Sequence, residues 1–260
     1  MDTEGWNFFD GIFCINLKSR DDRYEAASAL FKEHQIPVTF HRVTKHPTSG
    51  LQGCFESHVE VIKNAYDAGM QNVLIFEDDL VTTGNYDLKL LDDAISFMKN
   101  DNAWDIFYLG PFPEIKRFST EATPYNNVYK IHSLCGHAYV VSRRFMEKFK
   151  DAKFTDIPLD YIYMYNEQSY AVYPGLFAQG ASVSDNNGNV TLSLDTLPKV
   201  KQTFFRAVEM YGYHVNVPLI WFAILMLIVW YIAVMMWPKR YLLHLVLFAI
   251  AVALLIVAAK

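Results

Sequence analysis

Cysteine is scarce in this 260-residue chain and lacks the spacing that metal clusters and disulfide frameworks need. The three cysteines, Cys14, Cys54 and Cys135, are widely separated and odd in number, and no Cys-x-x-Cys pair occurs. We therefore expect neither a structural zinc cluster nor a disulfide-stabilised fold. Cys14 and Cys54 stand in apolar surroundings, so we expect them to fill the core.

Positive charge is also in short supply. The net charge is −5 and the isoelectric point about 5.9, so the chain lacks the overall basic footprint of a nucleic-acid-binding protein, and we expect no nucleic-acid partner. Hydrophobic residues make up 52% of the sequence, which is ample for one sizeable core.

Charge is missing altogether from residues 217–237, and residues 241–259 are apolar except for His244. Each run is close to the ~20 residues that a helix needs to cross a bilayer. Only Pro238-Lys239-Arg240 separates the two runs. The pattern predicts a two-helix transmembrane hairpin over residues 217–260, with a buried helical hairpin of a soluble protein as the alternative.

The charges around this hairpin predict its orientation. The N-terminus lacks an apolar segment of the signal-peptide type, and basic residues precede the first apolar run. This mild bias favours both termini in the cytosol. We therefore predict an integral membrane protein whose larger part, residues 1–197, lies on the cytosolic face and is joined to the hairpin by a linker over residues 198–216.

The larger part alternates between strand and helix patterns. Residues 11–17 predict a buried strand, residues 55–68 a helix, residues 73–79 a second buried strand with an acidic end and residues 88–99 another helix. Such alternation is typical of an α/β domain with a mostly parallel sheet. Ligands of these sheets bind beyond the carboxyl ends of the strands.

Three adjacent carboxylates end the second of these strands. Glu77, Asp78 and Asp79 follow Val-Leu-Ile-Phe. Clustered negative charge at the mouth of a core needs a positive partner, and oxygen ligands favour Mg²⁺ or Mn²⁺. On an extended strand Glu77 and Asp79 share a face and could hold the metal, which leaves Asp78 for a sugar or ribose hydroxyl. A solvated strand end is the alternative.

A signalling receiver domain would also place paired acids after a strand to hold Mg²⁺. It would need a further, phosphate-accepting aspartate at the end of a later strand. Asp105 stands at the start of its strand, and Leu109-Gly110-Pro111 follows the strand's end. The receiver interpretation is therefore weaker.

Two further segments carry polar side chains next to helix starts. Asn16, Arg20 and Arg23 follow the first strand, and the two arginines, one turn apart, could reach a diphosphate. The alternative is a solvated helix face on which they pair with Asp21 and Asp22. Gly53 allows a close backbone approach before the next helix, whose first turn presents Ser57 and His58. No elbow motif surrounds Ser57, so we do not expect a nucleophilic triad.

Six motifs, in this order, resemble those of glycosyltransferase family 25. They are Asn16 with Arg20 and Arg23, Gly53-Cys54 with Ser57-His58, Leu74 to Asp79, Gly136 to Arg143, Pro158-Leu159-Asp160-Tyr161, and Gln179 with Ser184-Asp185. The family includes lipopolysaccharide-biosynthesis galactosyltransferases, collagen galactosyltransferases and relatives in large DNA viruses. The resemblance covers roughly residues 10–190, with departures at Phe76 and Asn186.

This resemblance implies a GT-A-like nucleotide-sugar domain that acts as a glycosyltransferase. The cofactor would be Mn²⁺ or Mg²⁺ and the donor a UDP-sugar, either UDP-galactose or UDP-glucose. The acceptor would be a saccharide, a lipid-linked molecule or a protein. The family is associated with inversion, which needs a general base, and Asp160 and Asp185 are the candidates. A membrane-anchored module of the same fold that binds sugar or protein without turnover is the alternative.

Overall fold

The computed structural model describes most of the first 180 residues and isolated positions beyond them. The described residues are 5–111, 121–133, 136–180, 182–183, 190–191, 225, 227–228, 230–231 and 248. The chain divides into two compact units, Met1–Phe112 with Ser119–Lys199, and Pro113–Phe118 with Val200–Lys260. The predicted boundaries at residues 197 and 216 stay a prediction.

The first unit is an α/β fold, built on one eight-stranded sheet. Its strands are β1 (Gly11–Leu17), β2 (Thr39–Val43), β3 (Asn72–Glu77), β5 (Ile106–Tyr108), β6 (Glu121–Ala122), β7 (Val128–Lys130), β8 (Ala138–Ser142) and β9 (Ser169–Val172), in the order β2-β1-β3-β8-β5-β9-β7-β6. Two small two-stranded sheets pair β4 (Leu80–Thr82) with β10 (Phe177–Gln179), and β11 (Ser182–Val183) with β12 (Val190–Thr191).

The prediction of a mostly parallel sheet is wrong, because the sheet is mixed. β1 pairs in parallel with β2 and β3, and β5 with β9. However, β8 lies between β3 and β5 and is antiparallel to both, while β7 is antiparallel to β9 and β6. All five residues of β8 are buried, so its sequence shows no alternation that would reveal its direction.

Helices cover both faces of this sheet. They are α1 (Asp21–Glu33), α2 (Gly50–Asp67), α3 (Leu88–Asn100), α4 (Arg143–Phe149) and α5 (Leu159–Met164). On β3, Leu74 and Phe76 face the apolar cluster that includes α1 and α3, whereas Val73 and Ile75 face the cluster that includes α2, α4 and α5. The alternation of side chains along one strand thus fills both layers.

Helix α2 begins earlier than its apolar pattern predicts. The side chain of Ser49 caps it by accepting a hydrogen bond from the backbone N–H of Gln52 at 3.2 Å. Gly53 therefore lies within the first turns of the helix and not in the loop before it. A Cβ on Gly53 would lie 2.8 Å from the Cβ of His46, so this glycine lets the loop after β2 pack against the helix.

One edge of the sheet gathers the ends of several strands. In register, Leu17 pairs with Val43 and Ile15 with Glu77, so β1, β2 and β3 end close to the same level. Because β8 runs antiparallel to β3, its first residues also lie at this edge, and the backbone N–H of Glu77 donates to the carbonyl of His137 at 3.0 Å. The segment before β8 therefore joins the carboxyl ends of three parallel strands.

The structure corrects the prediction of a transmembrane hairpin over residues 217–260, and with it that of an integral membrane protein on the cytosolic face. Among the described residues, no helix is long and apolar enough to span a membrane. The prediction rested on apolar composition, but a span also needs ~20 consecutive helical residues. Within this segment the described helical positions are Leu225, Leu227, Ile228, Trp230, Tyr231 and Phe248. The rest of the predicted hairpin lies outside the described residues.

Candidate active site

Asp78 is tied to the end of β1 and to the first turn of α1. Its carboxylate, 8% exposed, accepts hydrogen bonds from Asn16 Nδ2 at 2.7 Å and from Arg23 Nη1 at 2.8 Å. Burial raises the pKa of Asp78 above its ordinary value, although the bonds from Asn16 and Arg23 oppose the rise. Asp78 is thus held by the segment of Asn16 and Arg23, one of the two in which the sequence predicted donor-binding residues.

Asp79 lies in the turn after β3 and shares the same arginine. Its Oδ2 is 3.4 Å from Arg23 Nη1 and accepts a hydrogen bond from Gln179 Nε2 at 3.3 Å. Strand β3 ends at Glu77, so strand alternation does not extend to Asp79 as the sequence suggested. The expected shared face of Glu77 and Asp79 is replaced by a turn that brings the carboxylates together.

Glu77 points toward α2. Its Oε1 lies 3.4 Å from Nε2 of His58. Burial raises the pKa of Glu77 to about 8, repulsion by Asp79 and Asp78 adds to the rise, and Arg23 opposes it. The three carboxylates are therefore close enough to repel one another, with Arg23 as a shared cation.

Asp160, in the first turn of α5, lies near both Glu77 and His58. A Cβ placed on Gly136 would lie 3.5 Å from Oε1 of Glu77 and 3.6 Å from Oδ1 of Asp160, so the backbone of Gly136 lies next to both carboxylates. Burial raises the pKa of Asp160 to about 7, and Glu77 adds to the rise, while His58 and the backbone of Gly136 oppose it. The other catalytic candidate, Asp185, lies outside the described residues.

His58 belongs to a buried chain of hydrogen bonds behind Glu77. Its Nδ1 lies 2.6 Å from the hydroxyl of Tyr139, which lies 3.1 Å from the hydroxyl of Tyr163. Burial lowers the pKa of His58 to about 4, so its ring is neutral at pH 7. His58 is 1% exposed, and its Nε2 faces Glu77 on the wall of the cavity described below.

Two predicted residues are directed elsewhere within this region. Arg20 forms two hydrogen bonds of 2.9 Å to Asp22, the ion pair that the alternative interpretation of this helix described. The hydroxyl of Ser57 donates to the carbonyl of Gly53 at 2.6 Å. Gly53 and Ser57 nevertheless line the cavities beside the carboxylates.

Two cavities open at this edge of the sheet. The inner one, of about 130 Å³, is lined by Arg23, Glu77, Asp78, Asp79 and Gln179 together with Cys54, Ser57 and His58. The outer one, of about 450 Å³, is lined by three cationic side chains, those of Lys18, Arg42 and Lys45, and by the acids Glu56 and Glu60. They share the residues after β2 as well as Gly53 and Ser57. The outer volume lies within the range of small-molecule sites.

Sequence reasoning missed Arg42 and Tyr139. Arg42 Nε donates to Asn16 Oδ1 at 2.9 Å, and its Nη2 pairs with Asp21 at 2.6 Å. Arg42 stands near the carboxyl end of β2, where ligands of parallel sheets bind, so its position was a usable signal. No local pattern could link Tyr139 to His58, because 81 positions separate them.

The receiver interpretation finds no support in the geometry. Asp105 precedes β5 and pairs with Arg144 Nε at 2.7 Å and Lys148 Nζ at 3.0 Å. Arg144 and Lys148 belong to α4. Ser142, the last residue of β8, donates its backbone N–H to the carbonyl of Asp105. Asp105 therefore anchors the edge of the sheet opposite to the three carboxylates.

The electrostatics of the inner cavity fit a divalent cation. Glu77, Asp78 and Asp79 supply carboxylate oxygens, the ligands that Mg²⁺ and Mn²⁺ prefer. Repulsion by Asp79 and Asp78 raises the pKa of Glu77, and a cation between the carboxylates would remove that repulsion.

The chain is similar to curated procollagen galactosyltransferases. It is 26% identical to procollagen galactosyltransferase 1 of Danio rerio over 209 residues, which is 66% of this chain and 34% of the relative. It is 31% identical to inactive glycosyltransferase 25 family member 3 of Mus musculus over 81 residues, 31% of this chain and 13% of the relative. The chain thus spans about a third of the length of the first of these relatives. They confirm the resemblance to glycosyltransferase family 25, and no family model matches the chain.

Among solved structures, the chain is similar to a glycosyltransferase involved in the glycosylation of the major capsid of PBCV-1. The likeness covers 67% of this chain and 94% of that chain, with a TM-score of 0.41 and 13% sequence identity.

Proposed function

We propose that this chain is a metal-dependent glycosyltransferase that moves a hexose from UDP-galactose or UDP-glucose to a saccharide or protein acceptor, with inversion at the sugar carbon. The observation that carries the proposal is the convergence of Glu77, Asp78 and Asp79 at one sheet edge, with Arg23 and Asp160 close to them. The names of the curated relatives support the same reaction class.

Glu77 and Asp79 are the proposed ligands of Mn²⁺ or Mg²⁺. When bound, the cation would neutralise charge that develops on the leaving nucleotide diphosphate. His58 holds Glu77 from behind, and Gln179 together with Arg23 holds Asp79, so both ligands are oriented by buried or half-buried partners. Such support keeps carboxylate ligands in place when they would otherwise repel.

The donor is proposed to extend from the inner into the outer cavity. Hydrogen bonds from Asn16 and Arg23 hold the carboxylate of Asp78 in place. In that position it would accept a hydrogen bond from a ribose or sugar hydroxyl. Lys18, Arg42 and Lys45 line the outer cavity together with the acids Glu56 and Glu60, and these three cations could bind the negative charge of a nucleotide diphosphate. In this proposal the three carboxylates of the inner cavity hold the cation, and the cationic side chains of the outer cavity hold the phosphates.

Asp160 is the proposed general base. A single displacement with inversion needs one group that takes the proton from the acceptor hydroxyl. The pKa of Asp160 lies at about 7, which is where a base both ionises and accepts a proton at neutral pH. Asp185, the other candidate, remains a proposal from the resemblance alone.

Release of UDP from a panel of UDP-sugars, with and without an added acceptor, tests the proposal on the full chain. We expect release with Mn²⁺, its loss with a chelator, and a fall of about 100-fold in Asp79→Asn because a metal ligand is removed. Glu25→Gln is the matched control, since Glu25 is an exposed acid on α1 outside the site. Equal rates in Asp79→Asn and Glu25→Gln would refute the metal assignment.

A binding module without turnover is the second candidate. One curated relative is named inactive, although it matches over only 31% of this chain. This candidate predicts metal-dependent binding of UDP without release of UDP from any donor in the panel. Release that depends on both Mn²⁺ and Asp79 would exclude it.

A further inference from the structure

Cys54, His58 and Glu77 bring a second type of ligand set to the wall of the inner cavity. Cys54 and His58 are four residues apart on α2, so they share one face of the helix, and Glu77 ends the neighbouring strand β3. Their ligand atoms, a thiol sulfur, an imidazole nitrogen and a carboxylate oxygen, all lie within 4.8 Å of one another. Cys54 is half-buried and forms no disulfide.

This set differs in chemistry from the carboxylates beside it. Thiolate sulfur and imidazole nitrogen are typical ligands of Zn²⁺ and Co²⁺, whereas Mg²⁺ and Mn²⁺ prefer oxygen ligands. Around a tetrahedral Zn²⁺, with ligand distances of about 2.0 to 2.3 Å, the ligand atoms lie roughly 3.5 Å apart. His58 Nε2 and Glu77 Oε1 are already 3.4 Å apart, and the sulfur of Cys54 lies within 4.8 Å of both atoms.

The hydrogen bonds behind His58 point its ring toward this set. Nδ1 lies 2.6 Å from the hydroxyl of Tyr139, which leaves Nε2 directed at Glu77. Ligating histidines in metal sites use their second nitrogen in this way, because a fixed partner sets the tautomer and the orientation of the ring. Tyr163 continues the chain and holds Tyr139 in turn.

We propose that Cys54 Sγ, His58 Nε2 and Glu77 Oε1 form a site for Zn²⁺ on the inner wall of the cavity. Three protein ligands leave a fourth position open to the cavity, as in zinc sites that keep a water or another ligand. The site does not depend on transferase activity. It shares Glu77 with the proposed Mn²⁺ or Mg²⁺ site, so Zn²⁺ should compete with Mn²⁺ for the protein.

Titration of the full chain with Co²⁺, a spectroscopic substitute for Zn²⁺, tests this site without any enzymatic readout. We expect one Co²⁺ per chain, a thiolate-to-cobalt charge-transfer band in the near ultraviolet, and displacement by one equivalent of Zn²⁺ but not by excess Mg²⁺. Cys54→Ser should lose the band and bind at least about tenfold more weakly. The control Cys14→Ala should keep the band, because Cys14 lies in β1 and does not belong to the set.

The variant Cys54→His distinguishes loss of the thiolate ligand from misfolding of the protein. It replaces the thiolate by a second imidazole, so it should still bind Zn²⁺ and Co²⁺ but without the charge-transfer band. Tyr139→Phe should weaken Co²⁺ binding by about tenfold while keeping the band, since it removes only the support of His58. Absence of the band in the parent protein, or a band that survives in Cys54→Ser, would overturn the proposal.

Discussion

Replacing Glu77 with glutamine should stabilise the metal-free protein at alkaline pH. In the folded protein, the pKa of Glu77 rises from 4.5 to about 8, chiefly because the carboxyl is buried and then because Asp79 and Asp78 repel its charge. Glutamine keeps the size of the side chain and its contact with His58, but it carries no charge. The substitution thus isolates the cost of ionising one carboxylate in this cluster.

The sign follows from the protons that each state holds. Between pH 4.5 and about 8, folded Glu77 keeps a proton that the unfolded chain has released. The free energy of unfolding of the parent protein therefore falls as the pH rises through this window. At 1.36 kcal/mol per pKa unit, the full shift would amount to about 5 kcal/mol, an upper bound. The side chain is 27% exposed, so solvent reduces the effect, and we expect about 2 kcal/mol.

Urea unfolding from pH 5 to pH 9, in the presence of a chelator, measures this difference. From pH 5 to pH 9, the free energy of unfolding of Glu77→Gln should fall by about 2 kcal/mol less than that of the parent protein. Glu25→Gln, which removes an exposed acid, should follow the parent at every pH. If Glu77→Gln and the parent showed parallel pH profiles, Glu77 would not be a strained carboxylate and the reasoning about a cation would lose its main support.

Three further substitutions test other contacts of the site. Arg23→Gln should destabilise the protein by about 2 kcal/mol at pH 7 in urea unfolding, because buried Asp78 loses a charged hydrogen-bond donor. Tyr139→Phe should cost about 1 to 3 kcal/mol in the same assay, since it leaves the buried Nδ1 of His58 without its partner. Asp160→Asn should reduce sugar transfer by about 100-fold or more without weakening the binding of UDP. In the parent, the transfer rate should rise with pH through about 7, as Asp160 ionises, and a flat profile would contradict its role as base.

Local sequence predicted the strands and helices that build the site, but not how the strands are ordered. The apolar runs of β1 and β3 end in polar residues, so both strands and their functional ends were readable. The direction of β8 was not, because a strand that is buried on both faces carries no alternation. Its antiparallel course brings Gly136 next to Glu77 and Asp160, and no spacing in the sequence contains that contact.

The sequence predicted those residues of the candidate site whose positions follow from charge, and it missed those whose positions follow from packing. Three adjacent acids required a positive partner, and the structure supplies Arg23 from the predicted segment. Cys54, by contrast, was expected to fill the core, but the early start of α2 leaves it half-buried beside the cavity. A helix start set by the cap at Ser49, rather than by the apolar pattern, moved this residue into the site.

Metal-dependent binding of UDP tests the central claim most directly. Calorimetry of the full chain with UDP, in Mn²⁺ and again after chelation, measures whether the carboxylates and the cation hold the nucleotide together. We predict that UDP binds with Mn²⁺, that chelation weakens binding by at least about tenfold, and that Asp79→Asn in Mn²⁺ matches the chelated parent. Equal affinity for UDP with and without metal, or in Asp79→Asn and Glu25→Gln, would contradict the account.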